Sequence, residues 1–299
     1  MTIRLRNNSR RRNVSFLARM LTLLTVFILL ANIGFLLADV TLPDSEVGLR
    51  QMNQHRQILP ATQYFLSMRD SRMIPTFGIA MIVFVAISLA HFFTFGPKDM
   101  STADEKDLIP WWTLTERILH WVVAVAFVIL GVSGLWITYG RTLGGGGGAL
   151  VLRMAHEYAG LIFTPALLIM IAIWLRNAMF RAYDMEWMKH LGGYVGYKGK
   201  IVSGKFNAGQ KFWYWVMTVC GVILMLTGLA VYLNWGDVTD ARVFMVIHLY
   251  AAMPILLMFL VHLYMSTLGT KGTLMSMFHG RFSKTAAGKF HSDAANLKA

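Results

Sequence analysis

Six apolar runs dictate what this chain can fold into. Each is close to or beyond the length of about 18–20 residues that a helix needs to cross the hydrocarbon core of a bilayer. They lie near Leu17–Ala38, Met73–Phe95, Leu119–Tyr139, Met154–Arg176, Phe212–Leu233 and Val243–Leu268. A membrane-spanning strand would be about half as long and would alternate in polarity, so every run predicts a helix. The 299 residues are 56% hydrophobic and 14% charged, which leaves too few polar side chains to coat a water-soluble fold of this size. The single cysteine, Cys220, lies inside an apolar run. That excludes an intrachain disulfide, a cysteine-bound iron–sulfur cluster and a cysteine-type zinc site.

Basic residues predict the orientation. Lys and Arg outnumber Asp and Glu by 28 to 15, a surplus that would suggest nucleic acid in a soluble protein. Here the basic residues flank the apolar runs. With the N-terminus inside, segments 1–19, 96–118, 176–211 and 269–299 hold 21 of them, and the outside segments 39–72, 140–153 and 234–242 hold seven. That bias predicts cytoplasmic ends on a multi-pass protein. Trp213, Trp215, Tyr232 and Trp235 bound the last two helices at depths suited to interfacial aromatics. The first run follows Arg10, Arg11 and Arg12 and reads as a signal peptide or a retained helix. Its length and the bulky Leu36 near a cut at Ala38 favour retention. The organisation is then an N-terminal helix or signal peptide (1–38), a periplasmic segment (39–72), an extra helix (73–95), a turn-rich cytoplasmic linker (96–118), a four-helix block (119–268) and a cytoplasmic tail (269–299).

Four histidines lie in the four-helix block. His248 and His262 share the last run and are fourteen residues apart. That spacing is about 21 Å of rise and about 40° short of four full turns, so both rings lie on nearly one face, one in each leaflet. His120 begins the first helix of the block at the inner level, and His156 begins the second at the outer level. Depth therefore pairs His156 with His248 and His120 with His262. Two bis-imidazole pairs stacked across the bilayer are what two low-spin b haems need. The competing reading for any one intramembrane histidine is a hydrogen bond or a proton relay. Gly131, Gly134, Gly160, Gly221 and Gly228 suit either the approach of a flat macrocycle or close helix packing. His91 has no depth-matched partner and reads as interfacial or hydrogen-bonded. His55, His190, His279 and His291 fall in polar segments and read as solvated.

The loop GKFNAGQKFWYW, from Gly204 to Trp215, meets a helix start at Asn207, Gly209 and Gln210. Free backbone N–H groups and a neutral amide there can hold a quinone carbonyl oxygen. By spacing alone, an N-cap at Asn207 is the better account.

ERILHW (Glu116–Trp121), FNAGQK (Phe206–Lys211), the pair His248 and His262, and HLYMSTLGTKGTLMSMFHGRFS (His262–Ser283) together resemble the gamma subunit of respiratory formate dehydrogenase. The resemblance covers Trp111 to Ser283, and FNAGQK is its most specific element. It implies an all-α membrane protein, a four-helix dihaem cytochrome b bundle with one or two extra N-terminal transmembrane helices, in a bacterial inner membrane with a cytoplasmic C-terminus. It implies two haem b groups on His120, His156, His248 and His262. It also implies a menaquinone or ubiquinone site at Asn207, Gly209, Gln210 and His262. The partners implied are an iron–sulfur (beta) subunit and a molybdenum- or tungsten-containing catalytic (alpha) subunit. This chain would then pass electrons to quinone without oxidising formate itself. Pro254, between two of the histidines, is a departure that predicts a kink in the last helix. Two other readings compete. One is a dihaem subunit of a membrane hydrogenase or a thiosulfate- or polysulfide-type reductase. The other is a haem-free anchor or proton-relay transporter.

Overall fold

A computed structural model describes residues 69–139, 148–236 and 238–293. The first apolar run and most of the segment after it lie outside the described residues, as does 140–147. The described residues divide between two compact units, the first ending at residue 87 and the second beginning at residue 88.

In the first unit a π-helical turn, Arg69–Met73, leads into α1 (Ile74–Phe95). Met73, Phe77, Met81 and Val85 recur at every fourth residue, the spacing of one helix face, and all are buried. Ile79, Val83 and Ile87 are exposed. The last turns of α1 belong to the second unit.

The second unit is built on four long helices: α2 (Leu114–Tyr139), α3 (Gly148–Ala178), α5 (Ala208–Tyr232) and α6 (Val238–Thr267), with a short α4 (Ala182–Lys189) before α5. Counting α1, five helices among the described residues are long and apolar enough to cross a membrane. The four long helices of the second unit start four to six residues before the apolar segments that predict them, because a helix continues through its polar first turn. The 31 residues of α3 measure about 46 Å, against a hydrocarbon core of about 30 Å. α6 continues as one helix across Pro254, as α3 does across Pro165.

α2 packs along α3, α5 along α6, and α3 against α5, while α6 stands further from α2 and α3. The core holds Val123, Ala126 and Phe127 from α2, Phe163, Ala166, Leu167 and Met170 from α3, Met217 from α5 and Ile255 from α6. Val125, Ile162, Ile169, Val219 and Leu226 point outward, as they must if lipid is the solvent.

The segments before α2 and after α6 are more than linker and tail. β1 (Lys98–Asp99) runs parallel to β3 (Thr270–Lys271), and β2 (Leu108–Pro110) pairs antiparallel with β4 (Arg281–Ser283). Two short helices, α7 (Thr273–His279) and α8 (Lys284–Phe290), flank β4. Met100, Trp111, Phe282, Ala286 and Ala287 form a small second core. The cap is tied to the start of α2: the Trp111 and Trp112 amides donate to Gly280 O at 2.8 and 3.0 Å, and Arg117 donates to Phe278 O. His291 is not solvated as its polar neighbours imply. It is 4% exposed, lies edge-on to Trp111 and Phe282, and hydrogen-bonds Gly204 O through Nδ1 at 2.8 Å. Burial lowers its pKa to about 4. Lys98 also points inward, donating to Gly192 O at 2.5 Å. Burial, and then Lys289, lower its pKa to about 8.

Candidate functional site

α2 and α5 run away from this cap, and α3 and α6 run back toward it, so each end of the bundle receives residues from different helices. At the far end His156, in the third turn of α3, faces His248 of α6 with ring centres 6.2 Å apart and planes at 59°. At the cap end His120, in the second turn of α2, faces His262 of α6 at 6.4 Å and 56°. A metal bonded at about 2 Å to one nitrogen of each ring would set the two ring centres roughly 6 Å apart. Both pairs have that spacing. Along α6, Ile255 lies midway between the two histidines and is 1% exposed. Phe127 stacks near it against Phe163 and Phe259, so dry side chains separate the two sites.

At the far end each imidazole is held from behind by a hydroxyl. Ser133 Oγ is 2.9 Å from His156 Nδ1, and Thr227 Oγ1 is 2.9 Å from His248 Nδ1. Both hydroxyls give their proton to their own helix, Ser133 to Ile129 O at 2.6 Å and Thr227 to Ile223 O at 2.7 Å. A hydroxyl so committed can only accept from the ring. Nδ1 therefore carries the proton on both histidines, and both Nε2 atoms keep a free lone pair.

The glycines fall into two groups. A Cβ on Gly134 would come within 3.2 Å of His156 Cε1, and one on Gly228 within 3.5 Å of His248 Cε1. These two make room for the imidazoles. Gly131 and Gly221 instead admit Leu256 and Leu167, where a Cβ would sit at 3.1 and 2.7 Å. They serve helix packing, and Gly160, whose nearest neighbour is Leu130 at 3.9 Å, touches no histidine.

The cap-end pair has a different setting. His262 stacks on Trp213 at 5.2 Å and 18°, which gives Trp213 a role beyond anchoring at an interface. His120 lies against Trp121 and Trp174, and its buried Nδ1 has no protein partner. Close by, Glu116 is 6% exposed. It accepts from Trp174 Nε1 at 3.0 Å, Lys205 Nζ at 2.8 Å and the Thr113 amide at 2.8 Å.

Trp174 also packs on Phe206, which brings the FNAGQK loop to the same end. Asn207 is the N-cap of α5: its Oδ1 accepts from the Gln210 amide at 3.0 Å, and Gln210 Oε1 accepts from the Asn207 amide at 2.9 Å. This reciprocal cap satisfies two backbone donors and accounts for Gln210. Gly209 faces Trp187, where a Cβ would lie 2.8 Å from the indole. The cap fixes Oδ1 as the acceptor, and among the described residues nothing accepts from Asn207 Nδ2. Asn207 is 9% exposed. Lys211, also in the loop motif, is buried in an ion pair with Asp184 at 2.7 Å. His91 is hydrogen-bonded as expected of it, to Tyr264 OH at 2.6 Å and Tyr194 O at 2.9 Å.

Ser133, Thr227, Trp174, Trp213 and Glu116 are the site residues that spacing alone does not reveal. One pattern does point to two of them: VSGL (Val132–Leu135) and LTGL (Leu226–Leu229) repeat a hydroxyl followed by glycine.

Similar proteins carry related names. The chain is 25% identical over 193 residues to the cytochrome b556(fdo) subunit of formate dehydrogenase from Escherichia coli (strain K12), covering 62% of this chain and 91% of that one. It is 25% identical over 190 residues to the nitrate-inducible formate dehydrogenase cytochrome b556 subunit of the same strain, covering 59% and 85%. A formate dehydrogenase cytochrome b556 subunit of Haemophilus influenzae is 23% identical over 189 residues, covering 58% and 77%. Residues 111–280 match the family described as prokaryotic cytochrome b561. That match takes in all four long helices of the second unit and both histidine pairs, and with more than half its length inside the match the chain belongs to the prokaryotic cytochrome b561 family.

Proposed function

We propose that this chain is the membrane cytochrome b subunit of a formate dehydrogenase complex, with two b haems, in a bacterial inner membrane. The observation that carries the reading is the pair of facing imidazole couples at 6.2 and 6.4 Å. The residues fit the group. Among the described residues no cluster of three or more His, Cys, Asp or Glu could hold a metal, so a bare ion would have only two protein ligands. A haem, held between the two imidazoles of each pair, would complete the coordination that two protein ligands leave open. The wider separation of α6 from α2 and α3 and the 6.2 and 6.4 Å spacings of the two pairs suit such a guest. His156 and His248 hold one haem, His120 and His262 the other. Each haem supplies an iron that alternates between ferrous and ferric states and carries one electron.

The chain's own work is to hold these carriers roughly 21 Å apart along α6 and to keep water out of the space between. The basic-residue bias supports a cytoplasmic cap end, and the far end then faces the iron–sulfur (beta) and molybdenum or tungsten (alpha) partners. A quinone, menaquinone or ubiquinone, is reduced beside the cap-end pair and takes its protons from the cytoplasm. Asn207 donates from Nδ2 to a quinone oxygen, Trp213 and Trp174 wall the site, and Gly209 and Gln210 shape the helix start that presents Asn207.

The test is spectroscopic. The purified complex should contain two b haems on this chain by pyridine haemochrome assay. A stoichiometry near one removes a pair, and a chain without haem leaves the anchor or relay reading. Orientation is tested separately, in a Cys220-free background. A cysteine placed in 144–148 should react with an impermeant thiol reagent from outside, and one in 198–204 should not. Reverse labelling would invert the direction of charge movement.

A further inference from the structure

The far-end pair is held by a device that occurs twice. On α2, Ser133 precedes Gly134; on α5, Thr227 precedes Gly228. In each copy the hydroxyl donates to the carbonyl four residues earlier and stands 2.9 Å from a histidine Nδ1 on the following long helix. In each copy the glycine lies against that histidine's Cε1. Ser133 is fully buried and Thr227 is 6% exposed, so water cannot substitute for either oxygen. At the cap end, the corresponding nitrogen of His120 is buried with no partner, and among the described residues no hydroxyl bonds His262, which is covered by Trp213 instead.

We infer that Ser133 and Thr227 are positioning residues for the far-end haem. They fix both imidazoles as Nδ1–H tautomers with Nε2 aimed at one point, and they set that haem's potential below that of the cap-end haem. This rests on the reading that His156 and His248 hold a haem iron. An acceptor behind Nδ1–H makes the ring a stronger electron donor through Nε2, and such partners tune a metal as well as orient its ligands. A stronger donor favours ferric iron and lowers the potential. Among the described residues two acceptors act at the far end and none at the cap end, so the carrier nearer the proposed electron donor is the lower of the two. The electron then moves downhill across the membrane.

The experiment compares the intact complex with variants Ser133→Ala, Thr227→Val, Ser133→Thr and Thr227→Ser, by haem content and by potentiometric titration. The far-end spectral component is identified beforehand as the one lost in His156→Ala. Ser133→Ala and Thr227→Val should each weaken retention of the far-end haem, about 10- to 100-fold in affinity, or retain it with a raised midpoint. The cap-end component should not move. The two hydroxyl swaps should stay close to wild type in both measures, which a simple packing role would not produce, since Val matches Thr in shape and Ser does not. Wild-type haem content and midpoint in both Ser133→Ala and Thr227→Val would overturn the inference. So would an equal shift of both components, or a wild-type midpoint for the far-end haem above that of the cap-end haem. If no spectral component of the wild-type complex depends on His156 and His248, the haem reading itself fails and this inference falls with it.

Discussion

The two histidine pairs have nearly equal spacings, 6.2 and 6.4 Å, and nearly opposite surroundings. At the far end each ring is fixed by a hydrogen bond to a buried hydroxyl. At the cap end the rings are fixed by contact: Trp213 lies flat on His262, and Trp121 and Trp174 flank His120. A hydrogen bond specifies which nitrogen is protonated; an aromatic wall specifies only where the ring lies. The far end is therefore built to hold one fixed arrangement. The cap end combines a softer pair with a largely buried amide, Asn207, a salt-bridged carboxylate, Glu116, and a loop, the equipment expected where a mobile substrate comes and goes.

The sharpest way to break the comparison is to remove ligands. His156→Ala and His248→Ala should each abolish the same spectral component completely, and His120→Ala and His262→Ala the other. A component shared across these sets would dissolve the pairing. A smaller effect should appear with pH in the cap beneath the softer site. The pKa of His291 falls from an ordinary value near 6.5 to about 4 in the folded cap. The unfolded cap therefore binds the proton first, and stability that is complete above about pH 6.5 is lost as pH falls toward 4. Opening of the cap, read by amide exchange in α8, should rise on the order of a hundredfold over that window, and His291→Gln should flatten the dependence. A flat wild-type profile would mean that His291 is not held neutral.

Asn207→Asp separates the two jobs of one side chain. It keeps the Oδ1 cap and loses the amide donor, so quinone reduction should fall about tenfold with both haems still bound and reducible. Formate oxidation with an acceptor that draws electrons from the partner subunits should hold steady. Unchanged quinone turnover would return the loop to a capping role. The smallest effect belongs to the glycines. Gly134→Ala, with a neighbour at 3.2 Å, should cost about 1–2 kcal/mol in far-end haem retention, and Gly228→Ala, at 3.5 Å, less. Gly221→Ala should destabilise the bundle through Leu167 without shifting either spectral component. An equal spectral response at all three would deny any special role to the two hydroxyl-linked glycines.

Much of this was legible in the residues because membrane physics leaves few options. Apolar length fixes the spans, and helix rise with the fourteen-residue interval in α6 fixes which histidines meet. Asn207 read as a cap, and the reciprocal bond with Gln210 is what that reading requires. Other features had no such signature. A serine or threonine bonded back to its own helix looks like any other in a membrane span; the repeated hydroxyl–glycine pair marks Ser133 and Thr227, but their role emerges only when the opposing ring is seen. Strands of two or three residues are too short for a period, which hid β1 to β4 and with them the burial of His291. Nothing in the sequence pairs Lys211 with Asp184, which is 27 residues away. Its burial is tolerable only as a pair, since removing one member leaves an uncompensated charge at a cost of about 3–5 kcal/mol.

The cap joins residues that are made far apart in time. Leu108 pairs with Ser283, so at about 5–20 residues per second the first strand waits roughly 10–35 s for its partner to be translated. His156 and His248 can meet before that moment; Trp121, beside His120, gains its contacts with Met277 and Phe278 only near the end of synthesis. The waiting edges are suited to the delay. β1 is only Lys98 and Asp99, both charged, and β2 ends in Pro110, which offers no amide hydrogen to a passing chain. Synthesis itself thus orders assembly, with the rigid far site first and the substrate end closed last.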